Sequence, residues 1–169
     1  MNMHARQEQF DPAVIDTRIL RNAFSRYATG VTVVTAMTPD GPMGMTVNSF
    51  TSVSLEPPLT LWSIERKSTR YDAFAGAWDT AIHVLSREQE ALCLGFAKHA
   101  NAFDLVEWAP GANGTPLMEG CLARFTCRRH GTHEAGDHTI LVDQILSADI
   151  TEGAPLVFNQ GTFGGFLKD

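Results

Sequence analysis

The segment Thr38-Pro39-Asp40-Gly41-Pro42 restricts the fold more than any other part of the chain. Proline presets one turn dihedral and glycine accepts a positive one, so the backbone reverses within a few residues. Val31 to Met37, just before it, is rich in β-branched residues and reads as a strand. Met43 to Ser54, just after it, reads as a second strand, and two strands joined by so short a turn form an antiparallel hairpin. Glu56-Pro57-Pro58 breaks that pairing, and Leu59 to Ile64 supplies a third strand.

Further strands are predicted over Thr80 to Leu85, Cys121 to Arg129, His138 to Asp149 and Ala154 to Asn159, the last leading into Gly161 and Gly164-Gly165. The connection His130 to Asp137 reads as longer than a minimal turn. Three helices are predicted among them. Asp16 caps the first, whose Ile19, Leu20, Ala23, Phe24 and Tyr27 recur at helical spacing toward Gly30. Ser68 to Ala77 forms the second, carrying Tyr71, Phe74 and Ala75. Ser86 opens the third with Gln89 in a capping box, and Leu92, Phe96 and Cys93 give it an apolar face. Asn101 to Pro116 reads as an irregular segment holding Phe103 and Trp108, of a length that is usually functional or a dimer contact. Many short strands with few helices predict a mainly β protein, an antiparallel barrel. No GxxxxGK[ST] and no GxGxxG occurs, which excludes a Rossmann reading.

The chain has 169 residues, 44% of them hydrophobic and 19% charged, as a single globular domain requires. Residues 1–15 read as a loose arm before a domain over 16–169. The net charge of −6 argues against nucleic acid and anionic membrane as main partners. The polar N-terminus is not read as a signal peptide, no apolar run matches a membrane span, and the cytoplasm is the expected compartment. Three cysteines, Cys93, Cys121 and Cys127, make no disulfide framework. Cys121 and Cys127 would share a strand face, either as a redox pair or, as we prefer, as small core residues. Six histidines show no metal spacing, with His130 and His133 expected in a turn around Gly131, so no metal is predicted.

Pro42 to Arg70 carries the main functional signal. Gly44, Thr46, Asn48 and Ser49 offer backbone amides and small polar groups at one end. Glu65-Arg66-Lys67-Ser68-Thr69-Arg70 offers cations and hydroxyls at the other, which suits an anionic phosphate. A planar polar ring with a phosphate tail, such as a flavin, would span the two ends. A polar-faced strand, a proline corner and a solvated basic turn account for the same residues without a ligand.

Ala28-Thr29-Gly30-Val31-Thr32-Val33-Val34-Thr35, the run from Thr46-Val47-Asn48-Ser49-Phe50 through Glu56-Pro57-Pro58, and Gly136-Asp137-His138 resemble the short-chain flavin reductases. These are the small NAD(P)H:flavin oxidoreductase components of two-component monooxygenases. The resemblance spans about Leu20 to Phe166, with the motifs in the family's order. It implies a Greek-key split barrel of the FMN-binding type with flavin at a homodimer interface. It also implies FMN or FAD as cofactor, NADH or NADPH as co-substrate, and reduced flavin passed to a separate oxygenase. By resemblance Pro42, Met43, Gly44, Met45, Thr46, Asn48 and Ser49 line the isoalloxazine and ribityl chain, Gly44 allowing close approach. Ser63, Ile64 and Glu65 flank the ribityl–phosphate. Lys67, Ser68, Thr69 and Arg70 form the phosphate site, with Ser68 or Thr69 opening the next helix. Gly95 and Phe96 lie near the flavin's far end.

The nicotinamide side is assigned in the same way to Asp137-His138-Thr139 and to Phe158, Asn159, Gln160 and Gly161. His138 is the expected catalytic-site residue, with Asp137 orienting its ring and raising its cationic fraction. Two departures from the family pattern are visible. His83 stands where Asn is common, and Asn159-Gln160 stand where an aromatic and a basic residue are frequent, which leaves NADH-versus-NADPH preference open. The alternatives to a reductase are a flavin-binding electron carrier or storage protein without a nicotinamide site and, further away, an oxidase of the pyridoxamine-phosphate type.

Overall fold

The computed structural model describes residues 9–166, so the arm expected over 1–15 lies partly outside the described residues. α1 (Thr17–Phe24) starts where Asp16 accepts the Arg18 amide at 2.8 Å. It ends at Phe24, earlier than the apolar spacing through Tyr27 predicts. No residue of α1 is buried, so no packed face propagates the helix, and Ile19, Phe24 and Tyr27 stay exposed.

β1 (Thr29–Gly30) and β2 (Thr32–Thr38) follow, and β2 turns at Asp40-Gly41 into β3 (Gly41–Val47). Gly41 has φ 113°, and Thr38 Oγ1 donates to its carbonyl at 2.8 Å, as the hairpin requires. The single strand expected over 43–54 is two strands, because the chain changes partners. β3 pairs with β2, whereas β4 (Thr51–Leu55) pairs with β5 (Pro58–Glu65). α2 (Tyr71–Gly76) is shorter than the helix expected from Ser68. The Ser68 carbonyl accepts the Tyr71 amide and its hydroxyl accepts the Arg70 amide, which makes a turn of 68–70 and leaves Arg70 as the N-cap residue.

β6 (Asp79–Val84) precedes the predicted capping box. Ser86 and Gln89 are reciprocally bonded and lead through a 3-10 turn into α3 (Glu90–Lys98), which buries Leu92, Cys93 and Phe96. The segment expected to be irregular holds a small hairpin, β7 (Trp108–Pro110) and β8 (Pro116–Met118). β9 (Ala123–Ala135) and β10 (His138–Ile150) are the long ribbon of the molecule. The loop expected over 130–137 is therefore wrong: His130 and His133 lie in β9, and only Gly136-Asp137 turns, with Gly136 at φ 63°. Polar side chains face solvent there while the backbone stays paired with β10. β11 (Val157–Asn159) and β12 (Thr162–Gly164) close the chain as a hairpin beside β1.

The main sheet has order β3-β2-β6-β9-β10-β5-β4, and every pairing in it is antiparallel. Its two edges, β3 and β4, are consecutive in sequence but do not pair, so the barrel is split between them. β2 is buried on both faces, which explains its unbroken apolar and β-branched run. Val34, Ile82, Trp62, Ile64 and Leu141 fill one cluster, with Trp62 edge-on to Phe74 at 5.7 Å. Val33, Leu85, Leu92, Phe96, Phe103 and Met118 form a second cluster under α3.

Candidate active site

The chain crosses the split of the barrel at Asn48-Ser49-Phe50, and a cleft opens there. Ser49 Oγ accepts the Ser63 amide at 3.0 Å and donates to the Ser63 carbonyl at 3.3 Å, tying the crossing segment to β5. The cleft holds about 250 Å³ and is lined by Met45, Thr46, Val47, Asn48, Ser49, Ser63, Ile64, Glu65, Ser68 and His138. His138 reaches it because β10 pairs with β5 in a register that sets His138 opposite Glu65. The tight turn at Gly136 is what ends the ribbon at this rim. Val47 is the lining residue that sequence reasoning omitted; its position between Thr46 and Asn48 was the available signal.

Asp137 Oδ1 lies 2.7 Å from His138 Nδ1. The hydrogen bond to His138 and its charge hold the Asp137 carboxyl below the usual carboxylate range. With Nδ1 so engaged, Nε2 has no protein partner among the described residues. The Asn48 amide likewise has none, and it lines a second, apolar cleft of about 240 Å³ together with Thr46, Val31, Cys93, Leu94, Ala97, Phe158 and Phe163. The two clefts therefore meet at Thr46 and Asn48, one polar and one apolar.

The remaining predicted residues have other neighbours. Pro42, Met43 and Gly44 continue β3 away from the polar cleft. A Cβ on Gly44 would stand 2.4 Å from the Phe96 ring, and one on Gly95 would stand 2.4 Å from Leu105 Cδ1. Gly44 is thus required by packing against the buried Phe96 of α3, whereas at Gly95 the neighbour is the tip of an exposed leucine that can move aside. Arg70 Nη1 donates to the carbonyls of Gly44 and Phe96. Arg66 pairs with Glu134 at 3.5 Å, and Lys67 is exposed with no ion pair among the described residues, beside Thr69 in the turn. Asn159 donates to the Ser25 and Arg26 carbonyls, and Gln160 and Gly161 form the β11–β12 turn at φ 49° and 81°. That turn thereby caps the exit of α1, and of the four residues from Phe158 to Gly161 only Phe158 lines either of these two clefts.

His83, left without a role by the sequence, is wholly buried. Its Nδ1–H donates to the Val33 carbonyl at 3.0 Å, and Nε2 accepts the Met118 amide at 3.1 Å. Burial pushes its pKa down to about 4. The cysteines are free and buried, and burial raises them to about 11 for Cys93 and Cys121 and about 12 for Cys127. Cys121 precedes β9 and lies in the cluster under α3, whereas Cys127 lies in the other cluster, so they are not a redox pair. Among the described residues no group of ligands is placed to hold a metal.

The donor set fits a planar polar ring with an anionic tail. The unpartnered Asn48 amide stands where polar and apolar walls meet, while the Ser68 hydroxyl and the nearby Lys67 lie at the end where the turn before α2 begins. The chain is 52% identical over 159 residues to the FMN reductase (NADH) SmoA of Agrobacterium fabrum, covering 94% of this chain and 91% of that one. It is 31% identical over 157 residues to the reductase subunit HsaB of a flavin-dependent monooxygenase of Rhodococcus jostii, covering 92% and 80%. The structure of the NADH:FAD oxidoreductase SgcE6 of Streptomyces globisporus, in complex with NAD and FAD fragments, superposes with TM-score 0.89 at 37% identity, covering 96% of this chain and 99% of that one. The flavin reductase like domain model matches residues 24–166, and the chain belongs to that family.

Proposed function

We propose that this chain is an NADH-dependent flavin reductase that supplies reduced FMN or FAD to a separate oxygenase component. The observation that supports it best is the cleft at the barrel split, where His138 meets the Met45–Ser49 segment. A flavin held there would supply the redox chemistry, as hydride acceptor for a nicotinamide. The protein's part is to bind, orient and exclude water. Asn48 offers a donor and an acceptor to the ring edge, and the backbone of Met45 to Ser49 flanks it. Ser63, Ile64 and Glu65 border the tail, with the Ser68 hydroxyl and Lys67 as its anion partners. His138, held through Nδ1 by Asp137, turns Nε2 toward the cleft and orients the nicotinamide carboxamide. Phe158 adds an apolar wall beside Asn48.

A homodimer is part of this reading. Ile19 and Phe24 of α1, and Tyr27 just beyond it, are exposed apolar side chains that a second copy would cover. A domain from residue 16 onward and a cytoplasmic site of action, where NADH is available, complete the proposal. Titration with FMN and FAD followed by flavin fluorescence, then anaerobic mixing with NADH while following flavin absorbance, tests it. Binding and bleaching are expected. Binding without bleaching would point to the electron-carrier reading, and no binding would refute both.

A further inference from the structure

Arg70 is assigned to the phosphate site by resemblance, but its guanidinium is engaged inside the protein. Nη1 donates to the Gly44 carbonyl on β3 at 3.3 Å and to the Phe96 carbonyl in the last turn of α3. A cation is favourable at the carboxyl end of a helix, where unpaired carbonyls gather. Three other contacts converge on the same joint. The Gly44 amide donates to the Ala100 carbonyl at 2.7 Å just beyond α3. The Phe96 ring occupies the space a Gly44 side chain would need. Thr46 Oγ1 donates to the Cys93 carbonyl at 2.6 Å.

This joint has consequences for both clefts. β3 contributes Thr46, and the segment just after it contributes Asn48, to the apolar cleft, and α3 contributes Cys93, Leu94 and Ala97 to the same lining. The separation of those walls is set by how α3 sits on β3. Ser68, two residues before Arg70, lines the polar cleft, and its hydroxyl accepts the Arg70 amide at 3.2 Å. We infer that Arg70 is a positioning residue that clamps α3 to β3 and places Ser68, shaping the flavin site without contacting the flavin phosphate. The inference rests on the flavin reading above and adds to it a role opposite to the phosphate contact.

Riboflavin lacks the phosphate that FMN carries, so the pair of ligands separates the two roles. Wild type, Arg70→Met and Arg70→Gln are titrated with each ligand by fluorescence, at a temperature where circular dichroism shows every variant folded. Arg70→Met keeps an unbranched apolar stem and removes every donor. It is expected to weaken FMN and riboflavin by the same factor, roughly tenfold or more, as loss of a charge-assisted hydrogen bond implies. Arg70→Gln keeps one neutral donor, and its loss should be smaller and again equal for the two ligands. It carries the test alone if the Met variant does not fold. A loss confined to FMN would assign Arg70 to the phosphate and overturn the inference, as would unchanged affinity for both. Failure of wild type to bind either flavin would instead refute the flavin reading itself.

Discussion

His83 and His138 lie on one sheet, on β6 and β10 with β9 between them, under opposite conditions. His83, on β6, is fully buried and spends both ring nitrogens on backbone, bridging β2 to the end of β8. His138, at the tip of the β9–β10 ribbon, has a side chain 42% exposed and spends one nitrogen on Asp137. One ring has no donor or acceptor left to offer a ligand, and the other lines the cleft with Nε2 unpartnered among the described residues. The difference teaches that residue type alone does not mark a functional histidine here. What matters is whether the surrounding backbone has already consumed its hydrogen bonds. The arginines repeat the lesson. Arg129, with its side chain 7% exposed, donates to the buried Asp143 at 2.6 Å and to the Phe74 carbonyl, while Arg66 sits at the surface beside Glu134.

The buried side of this contrast is the more costly to disturb. Asp143 accepts from Arg129 and from Trp62 Nε1 at 2.8 Å. Asp143→Ala leaves the arginine charged, buried and unpaired, and about 3–5 kcal/mol of stability should be lost in denaturant unfolding. A loss under 1 kcal/mol would show that solvent reaches Arg129, and the contrast between interior and rim would fail there.

His83 gives the next effect, read through pH. Its folded pKa, about 4, lies below the ordinary value of 6.5, chiefly because burial disfavours the charged ring, with the positive charge of Arg124 acting in the same direction. The unfolded chain therefore takes up the proton first as pH falls. The stabilisation is complete above pH 6.5 and is lost progressively as pH falls through 6.5 toward 4, roughly 3 kcal/mol in all. Unfolding of wild type and His83→Asn at pH 7 and pH 4 isolates this contribution, since asparagine does not titrate. Parallel pH profiles for the two proteins would contradict it.

At the rim the expected effect is smaller and appears in rate. His138→Ala should leave unfolding unchanged within about 0.5 kcal/mol, as for exposed positions generally. Flavin reduction at low NADH should slow by roughly tenfold, equivalent to 1.36 kcal/mol of transition-state stabilisation, with some reduction persisting at saturating NADH. Stopped-flow bleaching reads the rate. Flavin affinity falling in step with the rate would move His138 to the flavin side of the cleft, a sharper placement than the nicotinamide role proposed here.

Much of the fold was legible because its signals are local. Pro39-Asp40-Gly41 dictates its own reversal, Ser86 and Gln89 satisfy each other's helix-end amides, and the β-branched run of β2 suits a strand wherever it packs. The errors are equally physical. His130 to Glu134 is polar and looks like a loop, yet pairing with β10 holds it in a ladder whose side chains face water. Met43 to Ser54 looks like one strand, yet β3 and β4 belong to opposite edges of the sheet.

The sequence by itself determined the antiparallel class, the absence of a Rossmann phosphate loop, and the motif order that marks the flavin reductase-like family. Those properties depend on residues close together in the chain, where turn, cap and strand chemistry act within a few bonds. Tertiary structure alone decided where the barrel splits, that His138 shares a cleft with Asn48 and Ser68, and that His83 and Arg70 face backbone carbonyls. Each of these depends on register and packing between segments tens of residues apart. There the direction of one side chain is set by which carbonyl or ring another part of the chain brings against it.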